Sequence, residues 1–74
     1  MIIKDLENQI NALRNSKADV YLIEQEQTAE GINESYIKAN SLDDLIAYAK
    51  IYFTDDLVSK ENSNKKIVGL KVWN

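Results

Sequence analysis

The sequence predicts a small α+β domain in which two helices pack on one face of a small, mainly antiparallel sheet. Two segments repeat apolar residues at helical spacing, and three shorter segments have the alternation or the β-branched and aromatic content of strands. These segments follow one another in the order α-β-β-α-β. With 74 residues and no internal linker, the chain is predicted to form one domain over residues 1–74.

The first helix is predicted from Ile2 to Asn15. Apolar residues at Ile3, Leu6, Ile10 and Leu13 are spaced by three and four positions, which places them on one stripe of a helix. The period is lost in the polar cluster that follows, so the helix is expected to end there.

The next segment, Asp19 to Glu24, is rich in β-branched and aromatic residues and is predicted to be an inner strand. Alternation places Val20 and Leu22 on one face of this strand, with Tyr21 and Ile23 on the other.

Residues 24–34, EQEQTAEGINE, contain four glutamates and few apolar residues. Such a segment cannot bury itself, so it is predicted to be a loop or a long hairpin connection. A second strand is predicted over residues 35–39, antiparallel to the first.

The second helix is predicted from Leu42 to Phe53. Ser41 stands in the N-cap position, with Asp44 three residues later. The apolar residues that follow match one helical face, namely Leu42, Leu45, Ile46, Ala49, Tyr52 and Phe53.

The last part of the chain is predicted to contain a turn at Thr54, a polar loop over residues 59–65 and a strand over residues 66–73. Alternation places Val68, Leu70 and Val72 on the face of Val20 and Leu22. Trp73 then shares the opposite face with Tyr21 and Ile23, and this partly uncovered face is predicted to be a docking or self-association surface.

Composition argues against most enzyme classes. The chain has no histidine, no cysteine and only two glycines, so the usual acid–base, thiol and phosphate-loop sites cannot be built. We therefore expect no catalytic activity, no cofactor and no metal. The paired carboxylates could bind a hard cation, but their places in the first turns of helices explain them better. These pairs are Asp43 with Asp44 and Asp55 with Asp56.

No segment has the length and hydropathy of a membrane span, and the first residues lack the pattern of a signal peptide. We expect a cytoplasmic protein that contacts no membrane.

Charge is sorted along the chain. Residues 19–34 carry five acidic and no basic side chains, whereas residues 59–74 carry four lysines and one glutamate. This pattern suggests an acidic surface that imitates a row of phosphates and binds a basic groove, with Tyr36 as its anchor. Its predicted acidic members are Asp19, Glu24, Glu26, Glu30, Glu34, Asp43, Asp44, Asp55 and Asp56.

Direct binding of nucleic acid is not expected. The tyrosines and the tryptophan could stack on bases, but the net charge of −3 opposes phosphate binding.

The chain resembles the small acidic inhibitor proteins of phages that infect low-GC Gram-positive bacteria, among them anti-CRISPR proteins and DNA mimics. The segments that carry this resemblance are MIIKDLENQI, DVYLIE, EQEQTAEGINES and SLDDLIAYAKIYF. The resemblance implies a host protein with a basic nucleic-acid-binding groove as the partner, and the host cytoplasm as the location.

The leading hypothesis is therefore a non-enzymatic inhibitor that occludes such a groove. The alternative is a small homo-oligomeric accessory or structural protein that buries Tyr21, Ile23 and Trp73 against a second copy.

Overall fold

The computed structural model describes residues 1–73, so the Asn74 end of the predicted domain lies outside the described residues. The elements are α1 (Ile3–Ala12), β1 (Asp19–Thr28), β2 (Gly31–Ile37), α2 (Leu42–Tyr52) and β3 (Lys65–Trp73). The strands form one antiparallel sheet in the order β2-β1-β3, which confirms the predicted α+β class, element order and central position of β1.

Both helices pack on the same face of the sheet. The helices contribute Leu6 and Ile10 from α1 and Leu45 and Ala49 from α2, all at most 1% exposed. These side chains meet the inward residues of the strands in one apolar cluster. The sheet contribution to that cluster is Val20, Leu22 and Ile67.

The helices run antiparallel, as their ion pairs show. Arg14, just after α1, pairs with Asp43 in the first turn of α2, and Lys50 near the end of α2 lies 3.1 Å from Glu7 of α1. The cap predicted for α2 is present, since the hydroxyl of Ser41 accepts a hydrogen bond from the Asp44 N–H at 3.1 Å.

α1 is shorter than predicted and ends at Ala12 rather than Asn15. The N–H groups of Leu13 and Arg14 donate to carbonyls only three residues back, at 3.0 and 3.2 Å, so the helix tightens into turns. The side chain of Arg14 also bonds to Asn11 at 2.7 Å.

The structure corrects the predicted extent of the connection over residues 24–34. Most of this segment is strand, and only Ala29 and Glu30 separate β1 from β2. Gly31 has a φ of 126°, a conformation that favours glycine, and its carbonyl accepts a hydrogen bond from the Thr28 hydroxyl at 3.0 Å. A tight hairpin therefore replaces the long connection.

β3 contains a bulge that the sequence pattern did not indicate. The register with β1 pairs Ile23 with Gly69 but Glu24 with Ile67, which leaves Val68 as an extra residue. Ile67 is therefore the buried residue at 4% exposure, and Val68 is exposed at 37%. The predicted inward position of Val68 is wrong, because the extra residue reverses the alternation.

A turn follows α2 at Thr54, as predicted. Leu57 in this turn has a φ of 64° and is fully buried. Its N–H donates to the Thr54 carbonyl, and its carbonyl accepts from the Ile67 N–H at 2.9 Å. The turn thus attaches the end of α2 to β3.

Within residues 1–73, no helix is long and apolar enough to cross a membrane.

Candidate binding surface on the uncovered sheet face

The face of the sheet that the helices leave uncovered carries aromatic and aliphatic side chains from all three strands. Tyr21 and Ile23 alternate with the buried Val20 and Leu22 of β1, so they point away from the helices. Cross-strand partners share a face, which places Tyr36 of β2 opposite Ile23. We call this surface the outer face; its apolar and aromatic members are Tyr21, Ile23, Ile32, Tyr36 and Trp73.

Several of these side chains are strongly exposed. Trp73 is 62% exposed, Ile32 61% and Tyr36 50%. The predicted self-association residues Tyr21, Ile23 and Trp73 do lie on one face, as the register with Lys71 and Asp19 shows.

Lysines stand over the aromatic rings of the outer face. The ammonium of Lys71 lies 5.8 Å from the ring centre of Tyr36 and 5.4 Å from that of Trp73. The ammonium of Lys38 lies 5.6 Å from the ring centre of Tyr21. These cation–π contacts hold the lysine stems along the aromatic surface.

Glu34 is the carboxylate at the centre of β2 on this face. It accepts hydrogen bonds from the Gln25 amide and from the Tyr36 hydroxyl, both at 2.8 Å. These bonds, with a smaller contribution from Lys71, hold the pKa of Glu34 below its usual value. The hydrogen bond that the Tyr36 hydroxyl donates to Glu34 raises the pKa of Tyr36. Glu34 thus stays charged on a face that also carries lysines.

Alternation in the last strand already grouped Lys71 with Trp73, and the register confirms this. The sequence did not identify Ile32 as a member of the outer face, because it placed Ile32 in the connection between the strands. Tyr36 was predicted as an anchor of the acidic surface, and the structure places it beside Ile23 on the outer face.

The acidic residues predicted to bind a partner do not come together on one surface. Asp43 and Asp44 lie in the first turn of α2, while Asp55 and Asp56 follow its last turn. An eleven-residue helix separates these pairs by about 16 Å. Glu30 is at the tip of the hairpin between β1 and β2.

The remaining predicted acidic residues are divided among three places. Glu24 and Glu26 lie on the helix side of β1, Glu34 lies on the outer face, and Asp19 pairs with Lys38 at 3.0 Å. The partner-binding role of the acidic set stays a prediction, but the fold does not give the set a common surface.

Glu24 is buried, contrary to its predicted place in an exposed acidic segment. It is 5% exposed, accepts a hydrogen bond from the Tyr48 hydroxyl at 2.9 Å and lies 3.3 Å from the Lys65 ammonium. Burial, followed by this hydrogen bond, raises the pKa of Tyr48 to about 12. Glu26 is half-buried and accepts from the Asn62 amide at 2.9 Å.

A groove of about 530 Å³ lies between the end of α2 and the loop before β3. Its walls include Tyr48, Ile51 and Tyr52 from the helix and Lys60 from the loop. Lys60 caps the helix end, because its N–H donates to the Tyr52 carbonyl at 2.9 Å and its ammonium to the Lys50 carbonyl at 3.2 Å. The ammonium groups of Lys60 and Lys65, which both line this groove, are thus already engaged within the fold.

Among residues 1–73, no group of three acidic side chains is close enough to hold a metal ion. Comparison of the chain with protein-family models, with curated proteins and with solved structures gave no match.

Proposed function

We propose that the protein is a small, non-enzymatic binding module that associates with a second copy of itself through the outer face. Of the two functions predicted from the sequence, this is the one that the geometry supports better. It needs no cofactor and no catalytic group, and it assigns the exposed aromatic side chains a role.

The observation that carries the proposal is the uncovered apolar surface of the sheet. In a small antiparallel sheet, one face commonly packs on the core and the other is solvated and polar. Here the second face exposes Trp73, Tyr36 and Ile32 by half or more. Side chains of this kind are enriched at the centres of protein interfaces.

The charges of the outer face favour a second copy over a partner whose surface carries charge of only one sign. The face carries Glu34 together with Lys66 and Lys71, all projecting from paired positions of the strands. Asp19 and Lys38 lie at its edge as an ion pair. A face with both signs is complementary to itself, whereas a basic groove would meet the repulsion of these lysines.

Two pairs of matched substitutions test the proposal. Trp73→Ala removes a side chain that is 62% exposed on the outer face, and Ile51→Ala removes one that is 60% exposed on α2. Tyr36→Ala and Tyr52→Ala form the second pair, at 50% and 51% exposure. The mass of each variant is measured by light scattering on a sizing column.

We expect the unmodified protein and both α2 variants to share a dimer mass at high concentration. Both outer-face variants are expected to shift towards the monomer, because they remove the aromatic centre of the interface. A monomer mass for the unmodified protein at several hundred micromolar would overturn the proposal.

A further inference from the structure

We propose that two copies pack outer face against outer face around a two-fold axis that runs parallel to the strands. This arrangement rests on the proposed self-association and specifies how the two copies meet. Such an axis places β1 over β1, and β2 of each copy over β3 of the other.

The register fixes which residues then oppose each other. Glu34, Gln25 and Lys66 are level with one another across the three strands. One step along the outer face, Tyr36 and Gly69 are level with Ile23. A rotation about an axis along the strands preserves these levels and exchanges the two outer strands.

The first consequence is steric complementarity. Tyr36 of one copy lies above Gly69 of the second copy, a position without a side chain next to the bulged Val68. Apart from the chain neighbours Val68 and Leu70, no atom lies within 4 Å of where a Cβ atom of residue 69 would stand. The half-exposed Tyr36 ring of each copy can thus pack over this position in the other, and the Ile23 side chains meet at the centre.

The second consequence is charge complementarity. Glu34 of one copy lies above Lys66 of the second copy, and the symmetry repeats this pair. The hydrogen bonds that Glu34 accepts from Gln25 and Tyr36 fix its carboxylate in position on the outer face. The arrangement also brings Lys38 level with Lys71, but Lys38 is paired with Asp19 at 3.0 Å.

A two-fold axis that runs across the strands also joins these faces, but it fits less well. When this axis is centred on Ile23, the Tyr36 rings of the two copies face each other, and so do the two Gly69 residues. The contact between the tyrosines would be too crowded, and the contact between the glycines would leave a gap. This axis would bring Lys66 near Lys71 and Glu34 near Lys38, so it has one like and one opposite charge pair, as the first axis has. Packing, and not charge, therefore favours the first axis.

The size of the face sets the expected affinity. With strands about 4.8 Å apart and a rise of about 3.3 Å per residue, three strands of seven residues cover roughly 14 by 23 Å. This area, roughly 320 Å² per copy, is below the range for stable specific complexes and is typical of weak, transient ones. We therefore expect a dimer that forms in the micromolar range and dissociates on dilution.

Gly69→Val tests the steric part of the proposal. In the monomer an added Cβ atom meets no atom within 4 Å other than its chain neighbours, and valine suits a strand better than glycine does. We expect urea unfolding to show a monomer at least as stable as the unmodified one. Dimer dissociation constants from sedimentation equilibrium should nevertheless rise at least about tenfold, because Tyr36 of the second copy loses its gap.

Charge reversal tests the electrostatic part. Glu34→Lys and Lys66→Glu should each weaken the dimer at least about tenfold, since each places like charges opposite one another. The double variant should recover an affinity within about threefold of the unmodified protein, because it restores the opposite pair in the reverse sense.

These outcomes separate the arrangement from the proposed function. If Trp73→Ala gives monomers while Gly69→Val and both charge reversals leave the dissociation constant unchanged, the axis is wrong and the self-association stands. If the unmodified protein stays monomeric, both proposals fail. Weakening by Gly69→Val without rescue by the double charge variant would also overturn the arrangement.

Discussion

Glu24 was predicted to be exposed, and in the fold it is buried. In the sequence it belongs to a run of five acidic residues without a basic one, which predicts an exposed carboxylate. In the fold it is buried between Tyr48 and Lys65, which supply a hydrogen bond at 2.9 Å and an ion pair at 3.3 Å. A buried carboxylate is tolerated only with such partners, and both are distant along the chain. No local pattern could have placed them.

Tyr48 gives this buried contact a measurable pH dependence. An unfolded tyrosine has a pKa of about 10, and in the fold burial and the Glu24 hydrogen bond raise the pKa of Tyr48 to about 12. Above pH 10 the unfolded chain loses this proton first, so its contribution to stability is complete below that pH and is lost as the pH approaches 12. Tyr48→Phe has no such proton to lose.

Urea unfolding at several pH values checks this prediction. The difference in unfolding free energy between the unmodified protein and Tyr48→Phe should shrink as the pH rises from 8 to 11. Tyr52→Phe, which changes an exposed tyrosine one turn away, should give a flatter difference. A difference for Tyr48→Phe that grows with pH would contradict the assigned contact.

At the scale of elements, the predictions succeeded where local signals and tertiary packing agree. The apolar period and the Ser41 cap located α2 to within one residue, because the stripe that defines the period is the one that packs on the sheet. The length of the two hairpin strands was missed because their polar residues are satisfied across the strands. Gln25 bonds to Glu34 at 2.8 Å, a contact that exists only once the strands pair.

β3 was predicted over residues 66–73, and the structure gives Lys65–Trp73. Its inward face was predicted correctly at Leu70 and Val72 but wrongly at Val68, because the bulge there adds one residue and reverses the alternation toward the loop. Trp73 lies beyond the bulge, so its place on the outer face was predicted correctly.

The cap of α2 is the clearest test at this scale. Ser41→Ala removes the acceptor for the Asp44 N–H, which bonds at 3.1 Å. We expect a loss of about 1 kcal/mol in the free energy of unfolding, in line with other N-cap serines. Ser63→Ala, an exposed serine in the loop before β3, should change it by less than about 0.5 kcal/mol. Chemical denaturation of both variants measures these free energies of unfolding. Equal losses in the two variants would show that the cap is not the cause of the loss in Ser41→Ala.

At the scale of the whole molecule, charge sorted along the chain is not charge sorted on the surface. Folding sends the acidic residues of one sequence block to the helix side, the hairpin tip and the outer face. Strand alternation, by contrast, gathered Tyr21, Ile23 and Trp73 from two distant strands onto one face. Periodicity within a strand therefore identified the candidate surface better than net charge along the sequence did.

Self-association through the outer face also predicts how thermal stability depends on concentration. A domain of this size buries a small core, so a second copy that binds only the folded state adds a notable increment. At a total concentration of about ten times the dissociation constant, the free monomer is at about twice that constant, so dimerisation should add about 1 kcal/mol. For a domain of 60–100 residues, this raises the melting temperature by roughly 4–8 °C. Calorimetry of the unmodified protein and of Gly69→Val over the same concentrations measures the effect.

The melting temperature of the unmodified protein should rise as its concentration rises. The melting temperature of Gly69→Val should rise less over these concentrations, because its monomer folds but pairs at least about tenfold more weakly. A constant melting temperature for both would show that the outer face does not join two copies.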